Sequence, residues 1–163
     1  DLVRFMNDKN FIQQCFVTNE PFFARQRGAE VGALLIAHPG YEPYRVMFTS
    51  DEFLAKNPEV VRKFVRASVR GWIDYLTGDP APANALISKF RDDLTPDFFA
   101  YSIHAMKDYQ LVLGDPSRNE KMGQLTRERI ETQLKNLRDL GVIEREIRVE
   151  DVATFDFLPP ESR

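Results

Sequence analysis

A chain of 163 residues, 43% of them hydrophobic and thirteen of them Phe, has the size of one ordinary domain and enough apolar mass for a core, which excludes global disorder. Twenty-two basic against 25 acidic residues leave a net charge of -3, and a pI near 5.5 argues against a nucleic-acid binder, which concentrates Lys and Arg to neutralise phosphates. Cys15 is the single cysteine, and His38 and His104 are the two histidines, so an intrachain disulfide and a multi-cysteine zinc site are excluded and no metal or cofactor is expected.

No stretch approaches the roughly 20 apolar residues that a membrane span needs. The chain opens Asp-Leu-Val-Arg-Phe, without Met or a charged-then-apolar leader, so a mature, trimmed or partial chain is expected. Leu2–Phe5 reads as a strand, Asn7–Gln13 as a turn or one helical turn, and Gln14–Thr18 as a short β-favouring run. Glu20–Arg27 reads as a helix with Pro21 in its first turn and Gly28 as its stop. Val31–Ala37 is an unbroken apolar run of the kind buried on both faces of a parallel sheet, and Val31–Ile36 is expected to be buried. The segment Pro39–Pro43 is a loop by composition, and Tyr44–Thr49 is a further strand.

Beyond Ser50 the pattern is helical. Ser50 caps a short helix through Ala55, and Asn57 caps the next, with Pro58 at its first position. Val61, Phe64, Val65, Ser68, Trp72 and Leu76 recur at three- and four-residue steps as one inward stripe, while Arg62, Lys63, Arg66 and Arg70 fall elsewhere as a solvated face. Asp79–Pro82 reads as a breaker and Asn84–Phe90 as a short helix. Thr95 starts a helix running to Leu113, with Phe99, Ile103, Met106, Gln110 and Leu113 as its stripe. A last helix spans about Gln124–Leu140, and the tail is irregular. Two or three strands followed by helices make an unusual order for a complete α/β domain, since parallel-type strands need companions.

The most specific stretch is Gln13–Pro21, ending Thr18-Asn19-Glu20-Pro21. It resembles the strand-to-helix turn of NMT1/THI5-like solute-binding proteins. The ordered series Gly40-Tyr41-Glu42-Pro43-Tyr44, Thr49-Ser50, Asn57–Ala67, Gly71-Trp72, Thr126–Arg129, Leu140-Gly141, Val149–Val152 and Phe157-Leu158-Pro159 extends the likeness over nearly the whole chain. The resemblance implies an α/β class: a partial type II periplasmic-binding-protein fold, with a short β/α start followed by a helix-rich C-terminal part. It implies that residues 1–40 end the second lobe, 41–50 form the crossover hinge, and 51–163 belong to the first lobe, as the C-terminal half of a two-lobed receptor. One departure is Arg45, where family members often carry a small residue; it alters ligand charge preference or is only a surface substitution.

Thr18, Asn19 and Glu20 fall where ligands bind in open α/β sheets, at a strand end beside a helix N-terminus. The same residues equally suit capping and the helix dipole. Tyr41 and Tyr44 flank Pro43, placed either to stack on a planar ligand or to pack a hinge. Asn19, Glu20 and Tyr44 are expected to border the interlobe cleft. His38 is more simply a solvated loop side chain, and His104 shows no evident base or metal partner.

The function that the resemblance implies is the small-molecule binding component of an ABC importer, periplasmic or extracytoplasmic, for a thiamin-pyrimidine-like or other small polar or aromatic solute. Its partners would be that ligand and a membrane permease, with self-association or a companion chain supplying the missing N-terminal half, and no nucleic acid. The alternatives are a fragment resembling a thiamin-pyrimidine synthase, or an interaction fragment without a ligand. No catalytic residue is assigned: enzymatic relatives use a histidine and a lysine from the N-terminal portion, and no Ser-His-Asp order, phosphate loop or carboxylate pair replaces them here.

Overall fold

Side-chain oxygens and left-handed residues set most of the helix boundaries. The computed structural model describes residues 2–37, 42 and 45–162, the side chain of Glu161 excepted, and every regular element among them is helical. Helix α1 is Leu2–Asn7 and α2 is Glu20–Gln26, the latter closed by Gly28 at φ +83° with the Ala29 N–H returning to the Ala24 carbonyl. Ser50 Oγ accepts the Phe53 N–H at 3.2 Å and starts α3 (Asp51–Lys56); α4 (Pro58–Thr77) follows with proline at its first position. Thr95 and Thr126 cap α6 (Pro96–Asp108) and α7 (Arg127–Asp139) in the same way, each such cap contributing about 1 kcal/mol.

Several boundaries differ from the sequence reading, among them the start of α7 at Arg127 and not at about Gln124. Helix α5 (Ala81–Ile87) begins inside the proline-rich run, because Pro82 lies in the first turn, where its missing N–H is no loss, and Asp79 Oδ1 accepts the Ala81 N–H at 2.9 Å. Helix α6 stops well before Gly114. Gln110 takes a left-handed conformation at φ 53°, and the Leu111 N–H bonds the Met106 carbonyl at 3.0 Å, closing the helix without a glycine.

The strands expected over Leu2–Phe5, Gln14–Thr18, Val31–Ala37 and Tyr44–Thr49 do not form among the described residues. Extended backbone is stabilised by a ladder on a neighbouring strand, and no described segment supplies one. Leu2–Phe5 closes instead into α1, with the Asn7 side-chain amide bonding the Val3 carbonyl at 2.8 Å. The Val31–Ile36 run is irregular and largely exposed, Leu34 at 92% and Ile36 at 60%.

The stripe on α4 is also corrected. Its buried line is Val69 and Leu76, flanked by the half-buried Val61, Val65 and Ile73. Phe64 (61% exposed) lies about a third of a turn from that line, and Trp72 (43% exposed) sits on its rim. The apolar surface of the helix is wider than the surface it covers.

The chain divides into two compact units, Asp1–Leu35 with Asp74–Val112, and Ile36–Ile73 with Leu113–Arg163. In the first, Ala24, Leu76, Phe98, Phe99 and Ala105 are buried. Its centre is an aromatic cluster in which Phe98 stacks on Phe23 at 5.3 Å and meets Phe22 edge-on at 5.4 Å. Tyr75 Oη donates to Asn84 Oδ1 at 2.7 Å, and burial pushes its phenol above the ordinary range.

In the second unit, Val69 and Val149 are buried, and the Ser162 hydroxyl, 1% exposed, donates to the Met122 carbonyl at 2.6 Å. Arg62 pins the tail by donating to the Asp156 carbonyl at 2.9 Å while lying over the Phe157 ring. Among the described residues no helix is long and apolar enough to cross a membrane.

Candidate functional site

The turn leading into α2 is built by short-range hydrogen bonds. The Asn19 N–H bonds the Phe16 carbonyl at 2.8 Å, and the Glu20 carboxylate reaches back to accept the Phe16 N–H at 2.8 Å. Thr18, Asn19 and Glu20 are all half-buried. Asn19 stands at the N-cap position, yet its side chain bonds none of the first helical amides. The capping role that its position suggested is therefore not realised by its side chain. Glu20 does the local work as the first residue of α2, where a negative charge is favoured. Cys15 is half-buried just before the turn; burial, and secondarily the Glu20 carboxylate, raise its thiol above the usual range.

A residue 84 positions away holds this turn. Tyr101, on α6, donates its hydroxyl hydrogen to the Val17 carbonyl at 2.9 Å. The same oxygen accepts from Arg25 of α2 at 3.3 Å, and the ring packs 5.4 Å from Phe22. Nothing local in the sequence marks Tyr101 or Arg25 as belonging to the turn.

Tyr41, Tyr44 and His38 lie outside the described residues. Glu42, between the two tyrosines, is anchored within the second unit. Its carboxylate takes a two-pronged contact from Arg118, at 2.9 and 3.0 Å, and its carbonyl accepts from Arg129 Nε at 2.7 Å. Glu120 faces the same two arginines, at 3.2 Å from Arg118 and 3.9 Å from Arg129. The Arg118 hydrogen bond is the main reason that the Glu42 carboxyl is held below the ordinary range.

Because the folded pKa of Glu42 is depressed, its contribution to stability is present above the ordinary carboxylate range and is lost as pH falls through the lowered value. Glu42→Gln is expected to remove about 0.5–1 kcal/mol of stability at neutral pH and progressively less as the pH falls through the lowered carboxyl value. Urea unfolding of the two proteins across that range is the check, and equal losses at both ends would exclude the ion pair as the cause.

His104 is not without a partner, as the sequence suggested; its Nε2 lies 2.9 Å from an Asp108 carboxylate oxygen one helical turn along α6, on an exposed surface. No group of three or more His, Cys, Asp or Glu that could hold a metal occurs among the described residues. A shallow depression of about 410 Å³ in the second unit, lined by Gln124, Leu125, Phe155, Asp156, Leu158 and Ser162, includes none of the candidate residues.

Residues 5–83, just under half of the chain, match the model of the family described as NMT1/THI5 like. Over 71 residues the chain is 42% identical to the riboflavin-binding protein RibY of Chloroflexus aurantiacus, a stretch that makes up 44% of this chain and 20% of that protein. The matched chain thus covers about a fifth of the length of that curated relative. No solved structure matches.

Proposed function

We propose that the chain is part of a receptor that reversibly binds a small planar solute of the flavin type. The observation that carries this reading is the 42% identity over 71 residues to a protein named for riboflavin binding. The half-buried Thr18–Glu20 turn, with an Asn side chain not spent on capping and a carboxylate at the helix start, supplies hydrogen-bonding groups suited to the imide and ring nitrogens of such a heterocycle. Tyr41 and Tyr44 belong to the proposal as aromatic partners of the ring. Binding rather than catalysis is the proposed activity, with delivery to an ABC importer permease outside the cytoplasm. Residues 1–40 would end the second lobe, 41–50 form the hinge, and 51–163 belong to the first lobe of the C-terminal half. A two-lobed receptor gains affinity by burying its ligand from both sides, so self-association or a companion chain carrying the remaining lobe segments is part of the same reading.

A chimera tests it. Residues 5–83 of this chain replace the matching stretch of the riboflavin-binding relative, and riboflavin is titrated by quenching of its fluorescence. The chimera is expected to bind riboflavin, and Asn19→Ala or Glu20→Gln within it is expected to weaken binding about tenfold or more, as for loss of one buried hydrogen bond to a ligand. A folded chimera with no affinity for riboflavin would defeat the proposal.

A further inference from the structure

We infer that Tyr101 is the positioning residue of the Thr18–Glu20 turn, with Arg25 as the group that orients its hydroxyl. This rests on the turn being a ligand-binding element, but the geometry stands without that reading. The Tyr101 hydroxyl has two defined partners: it gives its hydrogen to the Val17 carbonyl at 2.9 Å and accepts one from Arg25 at 3.3 Å. Arg25 cannot accept, so its approach from one side leaves the Tyr101 hydrogen directed to Val17. Val17 immediately precedes Thr18, and its carbonyl takes no other bond from the backbone of the turn. The turn's own bonds, Asn19 to Phe16 and Phe16 to Glu20, fix its internal shape; Tyr101 ties that shape to the aromatic core through a long-range hydrogen bond. The Tyr101 ring is itself held against Phe22, which packs on Phe98. A rigid ring seated on the core thus sets where the backbone before Asn19 and Glu20 stands, as a supporting shell does for groups that contact a ligand. Arg25 also lies 5.8 Å from the centre of that ring and within 3.5 Å of the Val31 carbonyl, so it bridges the tyrosine and the segment after α2.

The test uses Tyr101→Phe in the full chain, which removes the hydroxyl and keeps the ring. Cys15, the single cysteine, lies just before the turn and reports its opening through the rate of alkylation by iodoacetamide. Loss of one hydrogen bond of ordinary strength is expected to raise that rate about fivefold in the absence of urea, where the rate reports local opening of the turn and not global unfolding. Arg25→Ala, at an exposed position, is expected to raise it two- to threefold, and serves should Tyr101→Phe disturb folding. Riboflavin, at the high concentrations that part of a two-lobed receptor requires, is the probe for the second arm: it is expected to slow alkylation of the unmodified chain, and Tyr101→Phe is expected to need about tenfold more of it for the same protection. An unchanged Cys15 rate in both variants would overturn the positioning role. A raised rate without any protection by riboflavin would uphold the positioning role on geometry alone, while the chimera decides the flavin reading. Weaker protection with an unchanged Cys15 rate would also overturn it, since Tyr101 would then act on the ligand directly.

Discussion

Phe98→Ala is expected to lower the stability of the unit formed by residues 2–35 and 74–112 by about 3–5 kcal/mol, the range found for truncating a buried aromatic ring. Phe98 is 9% exposed and touches three other rings: Phe23 stacked at 5.3 Å, Phe22 edge-on at 5.4 Å and Phe99 at 6.1 Å. Removing it takes away both the transfer of the ring from water and the aromatic contacts, and the rings around it are too stiff to fill the space. The matched control is Phe64→Ala on α4. Phe64 is 61% exposed, and its loss is expected to stay within about 0.5 kcal/mol. Urea denaturation followed by near-ultraviolet circular dichroism measures both. Similar losses for the two variants would mean that the ring cluster is not the core of its unit.

The second large effect is expected at Gly123. Its φ of +70° is in the left-handed region, where a side chain costs about 1–2 kcal/mol. A Cβ there would also stand 2.7 Å from a Val69 methyl and 3.0 Å from the Ser162 hydroxyl. Both neighbours are buried, so neither moves aside without disturbing its own packing. Gly123→Ala is therefore expected to cost the second unit about 3 kcal/mol in total, of which the clash is the separable part. Adding Val69→Ala removes the nearer contact. In a double-mutant cycle the pair is expected to cost less than the sum of the single changes by about 1 kcal/mol. Strict additivity would show that backbone conformation alone accounts for the glycine.

Most of the helical half of this fold was legible because its signals are local. Ser50, Thr95 and Thr126 each accept a backbone N–H three residues on, and such a cap is written in a four-residue window. The strands were misread for a matching reason. Val31–Ile36 has the composition of a buried strand, but burial and pairing depend on a neighbour that no local window contains. The stripe on α4 was half right: its period is helical, yet period alone does not say how wide a face the rest of the chain covers, which is why Phe64 and Trp72 fell on the wrong side. For the candidate site, Asn19 and Glu20 were singled out from their place at a helix start. Tyr101, which holds their turn, and Arg118 and Arg129, which hold Glu42, act across 76 to 87 residues and leave no trace in spacing. Arginines opposite a Glu flanked by aromatic residues were the only available hint, and charge alone did not distinguish them from any solvated pair.

Val46, Met47 and Phe48, at 52%, 53% and 93% exposure, form an extended apolar run without a ladder among the described residues. Such a run, rich in β-branched and aromatic character and free of proline, is the composition from which stacked intermolecular fibrils nucleate. What separates it from an aggregation hazard is its flanks: Arg45 on one side and Asp51 and Glu52 on the other place charge within reach of every added strand, and repeated charges along a stack repel. Salt screens that repulsion, so the protection that these three side chains give the run weakens as ionic strength rises.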